Sequence, residues 1–178
     1  MGVCFGTESV DKNITNISLD KNITNISLDK NITNNVDKNI TKIPTWADTI
    51  VFVPPITNGI VIKVYDGDTI TLAQTLPYEN SPLFRFPVRL LGIDSPELKT
   101  KHESEKMYGE RSRAALHKLI FEKTVTLKNV SLEKYGRILA DIYYGDIHIN
   151  KWLLDNKYAI PYNGDKKREW EEVKKLYE

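Results

Sequence analysis

Residues 60–72 read IVIKVYDGDTITL, a pattern that indicates a β-hairpin. Two runs rich in β-branched residues, Ile60–Tyr65 and Thr69–Leu72, flank the dipeptide Asp66-Gly67. Asp-Gly between two such runs is a hairpin signal, because both residues tolerate the backbone angles of a tight turn. The sequence therefore predicts two antiparallel strands joined at Asp66-Gly67.

Three more strands follow the hairpin along the chain. They are predicted at 85–93, 124–130 and 138–144, with a helix at 105–121 between the first and the second of them. Three strands, a helix, two strands and then helices is the order of a five-stranded Greek-key barrel of the OB type. The predicted fold is mainly β, with about three helices beside the barrel.

The second and third predicted helices lie near the C-terminus. One spans 149–156, and the last uses Asp165 as its N-cap. The predicted apolar contacts are Ala114, Ala115, Leu116, Leu119 and Ile120 in the first helix, Trp152 and Leu153 in the second, and Trp170, Val173 and Leu176 in the last.

Composition excludes several classes of protein. The 178 residues carry 25 Lys and Arg against 24 Asp and Glu, so a nucleic-acid partner must be argued from local residues. Cys4 is the single cysteine and the three histidines are scattered, which argues against a disulfide framework and a zinc site. No apolar run approaches the roughly 20 residues of a membrane span, and no secretory signal peptide is recognisable. We therefore expect an intracellular monomer.

Residues 1–45 differ from the globular part at 46–178. DKNITNISL occurs at 11–19 and 20–28, and DKNIT returns at 29–33 and 37–41. On a helix, a nine-residue period turns each repeat by about 180°, so no lasting apolar face forms. We predict a mostly disordered low-complexity tether. A stacked solenoid is the alternative, although the repeats degrade after two copies.

The first residues suggest a possible lipid anchor. Met1-Gly2 with Cys4 nearby is similar to a dual acylation signal, but position six is Gly6 where Ser or Thr is expected, and Thr7 comes one place late. Acylation of Gly2 and Cys4 would provide a weak membrane tether. The alternative is an ordinary N-terminus.

Acidic and basic residues cluster at three places in the globular part. The first is the hairpin turn 66–69, where the turn explains Asp-Gly but not the second acid, Asp68. The second is 88–97, VRLLGIDSPE, in which Arg89 lies inside an apolar strand. A snorkelling surface arginine and a cleft-facing guanidinium with an anionic partner are both open. The third is 134–137, KYGR, which alone would be a charged β-turn.

Taken together, the clusters point to one chemistry. Carboxylates and a backbone carbonyl are ligands for Ca²⁺ or Mg²⁺ rather than for a soft metal. Arginine binds phosphate oxygens through two parallel hydrogen bonds. Glu97, just past Pro96, could take a proton from water. The residues therefore predict metal-assisted phosphodiester chemistry.

The same three stretches resemble the signature blocks of the thermonuclease family, also called staphylococcal nuclease-like. The blocks are Asp66–Thr69, Arg89–Glu97 and Tyr135–Ala140, and the match runs from about residue 58 to 162 in the family's order and spacing. The resemblance implies an OB-fold, Ca²⁺-dependent nuclease acting on DNA and RNA.

The resemblance also implies a role for each matching residue. Asp68 and Asp94 would be side-chain Ca²⁺ ligands, with the Ser95 carbonyl as a third. Glu97 would be the general base or position the water. The clamp on the scissile phosphate would be Arg89 and Arg137, and the contacts to a terminal phosphate Lys134 and Tyr135.

Aromatic residues suggest a preferred substrate form. Tyr162 is a candidate to pack against the nucleotide, although its register is open. Single strands can stack a base on Tyr135 or Tyr162, so we expect them to be cut faster than duplex.

Three functions remain open from the sequence. The first is an active nuclease, favoured because Asp68, Arg89, Asp94, Glu97 and Arg137 are all present. The second is an OB-fold nucleic-acid-binding module that has lost catalysis. The third is a tethered adaptor in which the repeats are the functional part.

Overall fold

The computed structural model describes residues 43–178. The predicted repeat segment at 1–45 lies outside that range except for residues 43–45, and the predicted acylation sites Gly2 and Cys4 lie wholly outside it. The chain divides into two units, and the second is Ile50–Glu178. In the described part of the first unit, a 3-10 turn at Trp46–Asp48 is closed by hydrogen bonds between Thr45 and Asp48. No helix within 43–178 is long and apolar enough to cross a membrane.

Eight strands and three helices build the second unit. The strands are β1 (Asn58–Val64), β2 (Thr69–Gln74), β3 (Phe84–Leu90), β4 (Ile93–Asp94), β5 (Thr124–Leu132), β6 (Ile138–Tyr144), β7 (Ile147–His148) and β8 (Ile160–Pro161). The helices are α1 (Glu103–Ile120), α2 (Ile149–Asp155) and α3 (Trp170–Val173).

Five of these strands close into a barrel. β1, β2 and β3 form an antiparallel meander, and β1 also pairs antiparallel with β5, which pairs antiparallel with β6. The parallel pairing of β3 with β6 closes the ring, with Arg89 opposite Leu139. The predicted five-stranded barrel with three helices is thereby confirmed.

Alternating strand residues fill the barrel interior. Ile70, Leu72, Val88 and Leu90 are fully buried there, as expected for strands with one face turned to the core. α1 and α2 cover the barrel with Leu116, Ile120 and Leu153, all predicted apolar contacts. Leu119 and Trp152 are partly buried against the same core.

The third predicted strand extends too far. β3 ends at Leu90, and Gly92, with φ +76°, reverses the chain. Ile93 and Asp94 then form β4, which pairs with β8 instead of continuing the barrel. Glycine adopts this left-handed backbone without steric penalty. Gly92 therefore ends the strand, although the residues on both sides of it are apolar.

The last predicted helix is shorter than expected. α3 begins after Glu169, so Asp165 is not its N-cap, and the helix passes into a 3-10 turn at Lys174–Leu176. Trp170 and Val173 are buried as predicted, but Leu176 is 47% exposed and Tyr177 takes the third buried place. The third buried residue thus stands seven positions after Trp170, close to two turns at about 3.6 residues per turn, and not at the sixth position that the predicted pattern used.

Candidate active site

The β1–β2 turn carries Asp68 into the protein. The Asp66 carboxylate accepts a hydrogen bond from the Asp68 amide at 3.1 Å, which shapes the turn. Gly67 lies so close to the loop after β4 and to α1 that a Cβ there would be 2.7 Å from the Cβ atoms of Ser95 and Ser112. Only glycine fits, and this close approach brings Asp68 next to β4.

Asp68 is 2% exposed and all its contacts are with protein donors. Its Oδ1 accepts from Arg89 Nη1 at 2.7 Å and from Thr69 Oγ1 at 2.9 Å, while Oδ2 accepts from the Ser95 amide at 2.8 Å. Burial, with Asp66 adding to it, raises the pKa of Asp68 to about 7, against the opposing effects of Arg89 and Ser95. Asp68 therefore fixes Arg89 and the loop after β4 in place.

Arg89 bridges the two aspartates. Its Nη2 donates to Asp94 Oδ1 at 2.9 Å and to the Ile93 carbonyl at 3.3 Å. Burial disfavours the guanidinium charge, but Asp68 and Asp94 outweigh it and raise the pKa of Arg89. The contacts to Asp68, Asp94 and Ile93 occupy three of the five N–H donors, which leaves Nε and one Nη1 hydrogen for another ligand. Of the two alternatives for Arg89, the structure shows the one with anionic partners.

A residue missed by the sequence analysis completes this cluster. Lys167 Nζ lies 2.6 Å from Glu97 Oε1, 3.0 Å from Asp94 Oδ2 and 3.5 Å from the Ser95 carbonyl oxygen. Burial lowers the pKa of Lys167, but Glu97 and Asp94 have the larger combined effect and raise it, so the ammonium stays charged. The only sequence signal was the basic run 166–168, which by itself would be a solvated surface segment.

The C-terminal segment supports the cluster from one side. β8 pairs with β4, Asp94 opposite Ile160, and Tyr177 Oη donates to the Asp94 carbonyl at 3.2 Å. Burial, together with the charge of Asp94, raises the pKa of Tyr177, so this hydroxyl remains a donor. Trp170 packs with Tyr177 beneath the site, their ring centroids 5.6 Å apart.

Tyr162 is brought to the site by the same pairing. Its amide donates to the Gly92 carbonyl at 2.9 Å, and its ring lies beside the Arg89 guanidinium, 5.6 Å from ring centroid to Cζ. This cation–π contact puts an aromatic face next to the remaining Arg89 donors.

Arg137 lies on the same barrel face as Arg89, but its acidic partner is Glu133 and not Asp68 or Asp94. It stands one residue before β6, and strand alternation puts it on the side of Leu139, the residue opposite Arg89. Its Nε donates to Glu133, and its Nη groups make no hydrogen bond within residues 43–178. Lys134 lies over the exposed ring of the adjacent Tyr135, 5.0 Å from the centroid. These three residues belong to the turn between β5 and β6, and β6 pairs with the strand that carries Arg89.

The donor set around Lys167 Nζ suits a hard cation. Asp94 Oδ2, the Ser95 carbonyl and Glu97 Oε1 converge on one positive charge, and oxygen ligands of this kind are those that Ca²⁺ prefers. Asp68 differs in its partners, because its oxygens accept from Arg89, Thr69 and the Ser95 amide and not from Lys167. Over residues 43–178, no three Asp, Glu, His or Cys side chains converge as a metal site, so a cation here would depend on the Ser95 carbonyl.

Comparison with known proteins decides the family. The family model described as staphylococcal nuclease homologue matches residues 87–178, slightly more than half of the chain. The chain belongs to the staphylococcal nuclease family. The match includes every staphylococcal nuclease-like site residue predicted above except Asp68, which precedes it.

Individual relatives agree with this assignment. A probable staphylococcal-like nuclease of Oryza sativa subsp. japonica is 39% identical over 75 residues, which cover 42% of this chain and 19% of the relative. An uncharacterized endonuclease of Haemophilus influenzae is 32% identical over 102 residues, covering 57% of this chain and 51% of the relative. A micrococcal nuclease of Shigella flexneri is 33% identical over 104 residues, covering 58% and 48%. The chain thus spans about half the length of these bacterial relatives and about a fifth of the plant one.

Proposed function

We propose that this protein is a Ca²⁺-dependent nuclease that hydrolyses phosphodiester bonds of DNA and RNA, with a preference for single strands. One observation carries the proposal: Arg89 is held between Asp68 and Asp94, and Lys167 joins Asp94 to the carboxylate of Glu97. A phosphate-binding guanidinium and a half-exposed carboxylate on one cluster are what hydrolysis of a phosphodiester requires. The named activities of the relatives add support.

Glu97 is the proposed base. Its side chain is 51% exposed, so a water molecule has access to it, while its amide donates to Glu105 Oε1 at 3.3 Å. In the proposed step, Glu97 accepts a proton from water as the water oxygen bonds to phosphorus. The phosphorus–oxygen ester bond breaks, and the departing oxygen takes a proton from solvent.

Arg89 and Arg137 are the proposed phosphate ligands. Arg89 offers Nε and one Nη1 hydrogen, and its orientation is set in advance by the two aspartates, so little reorganisation is needed on binding. Arg137 offers its two Nη groups from the neighbouring strand. When bound by Asp94, the Ser95 carbonyl and one oxygen of Glu97, with Asp68 as the further ligand that the family resemblance implies, Ca²⁺ would supply further positive charge at the phosphate.

Exposed tyrosines support the preference for single strands. Tyr135 is 75% exposed in the turn between β5 and β6, and Tyr162 lies beside Arg89. Stacking a base on an aromatic ring contributes about 1–3 kcal/mol, and it requires a base that has left its duplex partner. The net charge of +1 is too small to hold a rigid duplex non-specifically.

Digestion of single-stranded DNA tests the activity directly. We expect cleavage with Ca²⁺, weaker cleavage with Mg²⁺ and none with excess chelator. Glu97→Gln should lower turnover by about 10²-fold or more. Glu110→Gln, an exposed change of the same type on α1, serves as the control and should leave turnover unchanged.

The outcome also separates the other candidate functions. Binding of single strands without cleavage at any metal concentration would identify a non-catalytic binding module. Equal rates on single strands and on G·C-rich duplex, at one salt concentration and equal phosphate, would contradict the single-strand preference. Retention of a partner by residues 1–45 alone in a pull-down would favour the adaptor.

A further inference from the structure

Lys167 occupies the centre of an oxygen cluster formed by a distant part of the chain. Its Nζ is within 3.0 Å of one oxygen each from Asp94 and Glu97 and 3.5 Å from the Ser95 carbonyl. The residue lies between β8 and α3, about 70 positions further along the chain than its partners. Pairing of β8 with β4 and packing of Trp170 on Tyr177 hold both ends of this segment against the site.

The oxygens that hold the ammonium are those assigned to the cation in the proposed function. An ammonium and a divalent cation repel and cannot be held by the same oxygen atoms, so one must leave before the other binds. We propose that Lys167 is an intramolecular cation that competes with Ca²⁺ for Asp94, Ser95 and Glu97. The proposal rests on the proposed function, because it takes this cluster to be the Ca²⁺ site.

The surroundings of Lys167 allow it to leave. Its side chain is 38% exposed, so the ammonium can reach water without crossing the core. A lysine is a compact charge on a flexible stem, unlike Arg89, whose planar group is fixed by Asp68 and Asp94. Lys167 is thus the movable cation of the cluster and Arg89 the fixed one.

Competition has two consequences of opposite sign. Without Ca²⁺, Lys167 neutralises Asp94 and Glu97 and stabilises the folded chain. With Ca²⁺, displacing Lys167 costs part of the binding free energy, so the Ca²⁺ dissociation constant is higher than the oxygen ligands alone would produce. Lys167 therefore sets the Ca²⁺ concentration at which the site fills.

The test compares Lys167→Met with Lys166→Met in the full chain. Lys166 is an exposed neighbour. Its replacement removes the same charge from the segment but leaves Lys167 bound to Asp94, Ser95 and Glu97. In calorimetric titrations with Ca²⁺, we expect Lys167→Met to bind about tenfold more tightly than the wild type, and Lys166→Met to stay within about twofold. In chelator, Lys167→Met should melt at a lower temperature than both the wild type and Lys166→Met.

A measurement on the unchanged protein covers the case in which the variant does not fold. Acetylation of lysines with a limiting amount of an amine-reactive acetylating reagent, followed by mass spectrometry, reports how accessible each lysine side chain is. Ca²⁺ should raise the modification rate of Lys167 severalfold and leave that of Lys166 unchanged. An unchanged or lower rate at Lys167 would overturn the competition.

The remaining outcomes are distinguishable from failure of the nuclease assignment. Equal or weaker Ca²⁺ binding by Lys167→Met overturns the competition even if the protein cleaves DNA. Absence of Ca²⁺ binding in the wild type and in both variants overturns it as well. Tighter binding by Lys167→Met in a protein that cleaves no nucleic acid supports the competition and refutes the proposed function.

Discussion

Arg89 illustrates how one side chain combines a structural and a chemical task. Its planar group meets Asp68 on one side and Asp94 on the other, at 2.7 and 2.9 Å, and still presents two donors outward. A point charge at this position could neutralise the acids but could not hold two of them and a phosphate in one plane. The geometry of the guanidinium, beyond its charge, is what we expect to matter.

Arg89→Lys should therefore lower turnover on single-stranded DNA by about 10²-fold at saturating Ca²⁺. The matched control is Arg85→Lys, an exposed change on the same strand, which should leave turnover unaffected. Steady-state kinetics on both variants makes the comparison. Equal turnover in Arg89→Lys and the wild type would remove Arg89 from the phosphate site.

Asp68 is buried beneath the site, so its removal should lower the stability of the fold even when no metal is bound. Asp68→Ala deprives Arg89 and the Ser95 amide of their acceptor, so we expect the free energy of unfolding in chelator to fall by about 2–3 kcal/mol. Asp146→Ala, at an exposed turn, is the control. Denaturant titrations in chelator measure both.

The same variant also tests the ligand role that the family resemblance implies. The Ca²⁺ concentration needed for half-maximal cleavage should rise in Asp68→Ala. If stability in chelator were unchanged while this concentration rose, Asp68 would act as a metal ligand only.

At the scale of elements, α3 and the turn after it form a small second core beneath Asp94. Ile160, Trp170, Val173 and Tyr177 pack there with Tyr108 of α1, and Trp170 Nε1 donates to Ser104 Oγ at 2.8 Å. Four helical residues have little stability by themselves, so their position depends on this packing. The core in turn holds β8 and the segment that carries Lys167.

Trp170→Ala should lower the free energy of unfolding by about 3 kcal/mol, because it leaves a cavity where a buried ring had been. Leu176→Ala, at the predicted but exposed position, should change it by less than about 0.5 kcal/mol. Thermal and denaturant unfolding of the two variants compare them. A larger effect from Leu176→Ala would mean that the predicted apolar face was right.

At the scale of the whole molecule, the barrel is complete without the repeats. Its core begins at Ile56, 4% exposed, and the Thr57 carbonyl accepts from the Leu127 amide at 2.8 Å. On a helix, the nine-residue period of the repeats would give no lasting apolar face, so we expect them to add nothing to this core. Chemistry and stability should therefore belong to the second unit.

A protein beginning at Trp46 should keep the cleavage rate and melting temperature of the full chain. A protein beginning at Asn58 is the contrasting variant, because it loses Ile56 from the core and should melt at a lower temperature. Differential scanning calorimetry and digestion of single-stranded DNA measure both properties. A large drop in melting temperature already at the first truncation would show that residues 1–45 stabilise the barrel.

Much of the architecture could be predicted because it depends on local patterns. The hairpin at Asp66-Gly67, the strand alternation around Val88 and the apolar face of α1 each arise from neighbouring residues, whose periodicity survives in any tertiary context. The order of these elements then restricts the topology to a closed barrel. The pairing of Arg89 with acids was one of two placements that the sequence left open, and the folded barrel decided between them.

Only the tertiary structure shows that Lys167 and Tyr177 join the predicted residues at the centre of the site. Lys167 meets Asp94 and Glu97, and Tyr177 meets Asp94, because β8 pairs with β4. These contacts join residues 70 to 83 positions apart, a distance at which no local pattern encodes a contact. Tyr162 reaches Arg89 by the same pairing. Local patterns along the chain are enough to predict the five barrel strands, their closure and the kind of chemistry that the residues can support. Barrel closure and the packing of the C-terminal segment decided which charges face one another, because electrostatic pairing depends on distances in space and not along the chain.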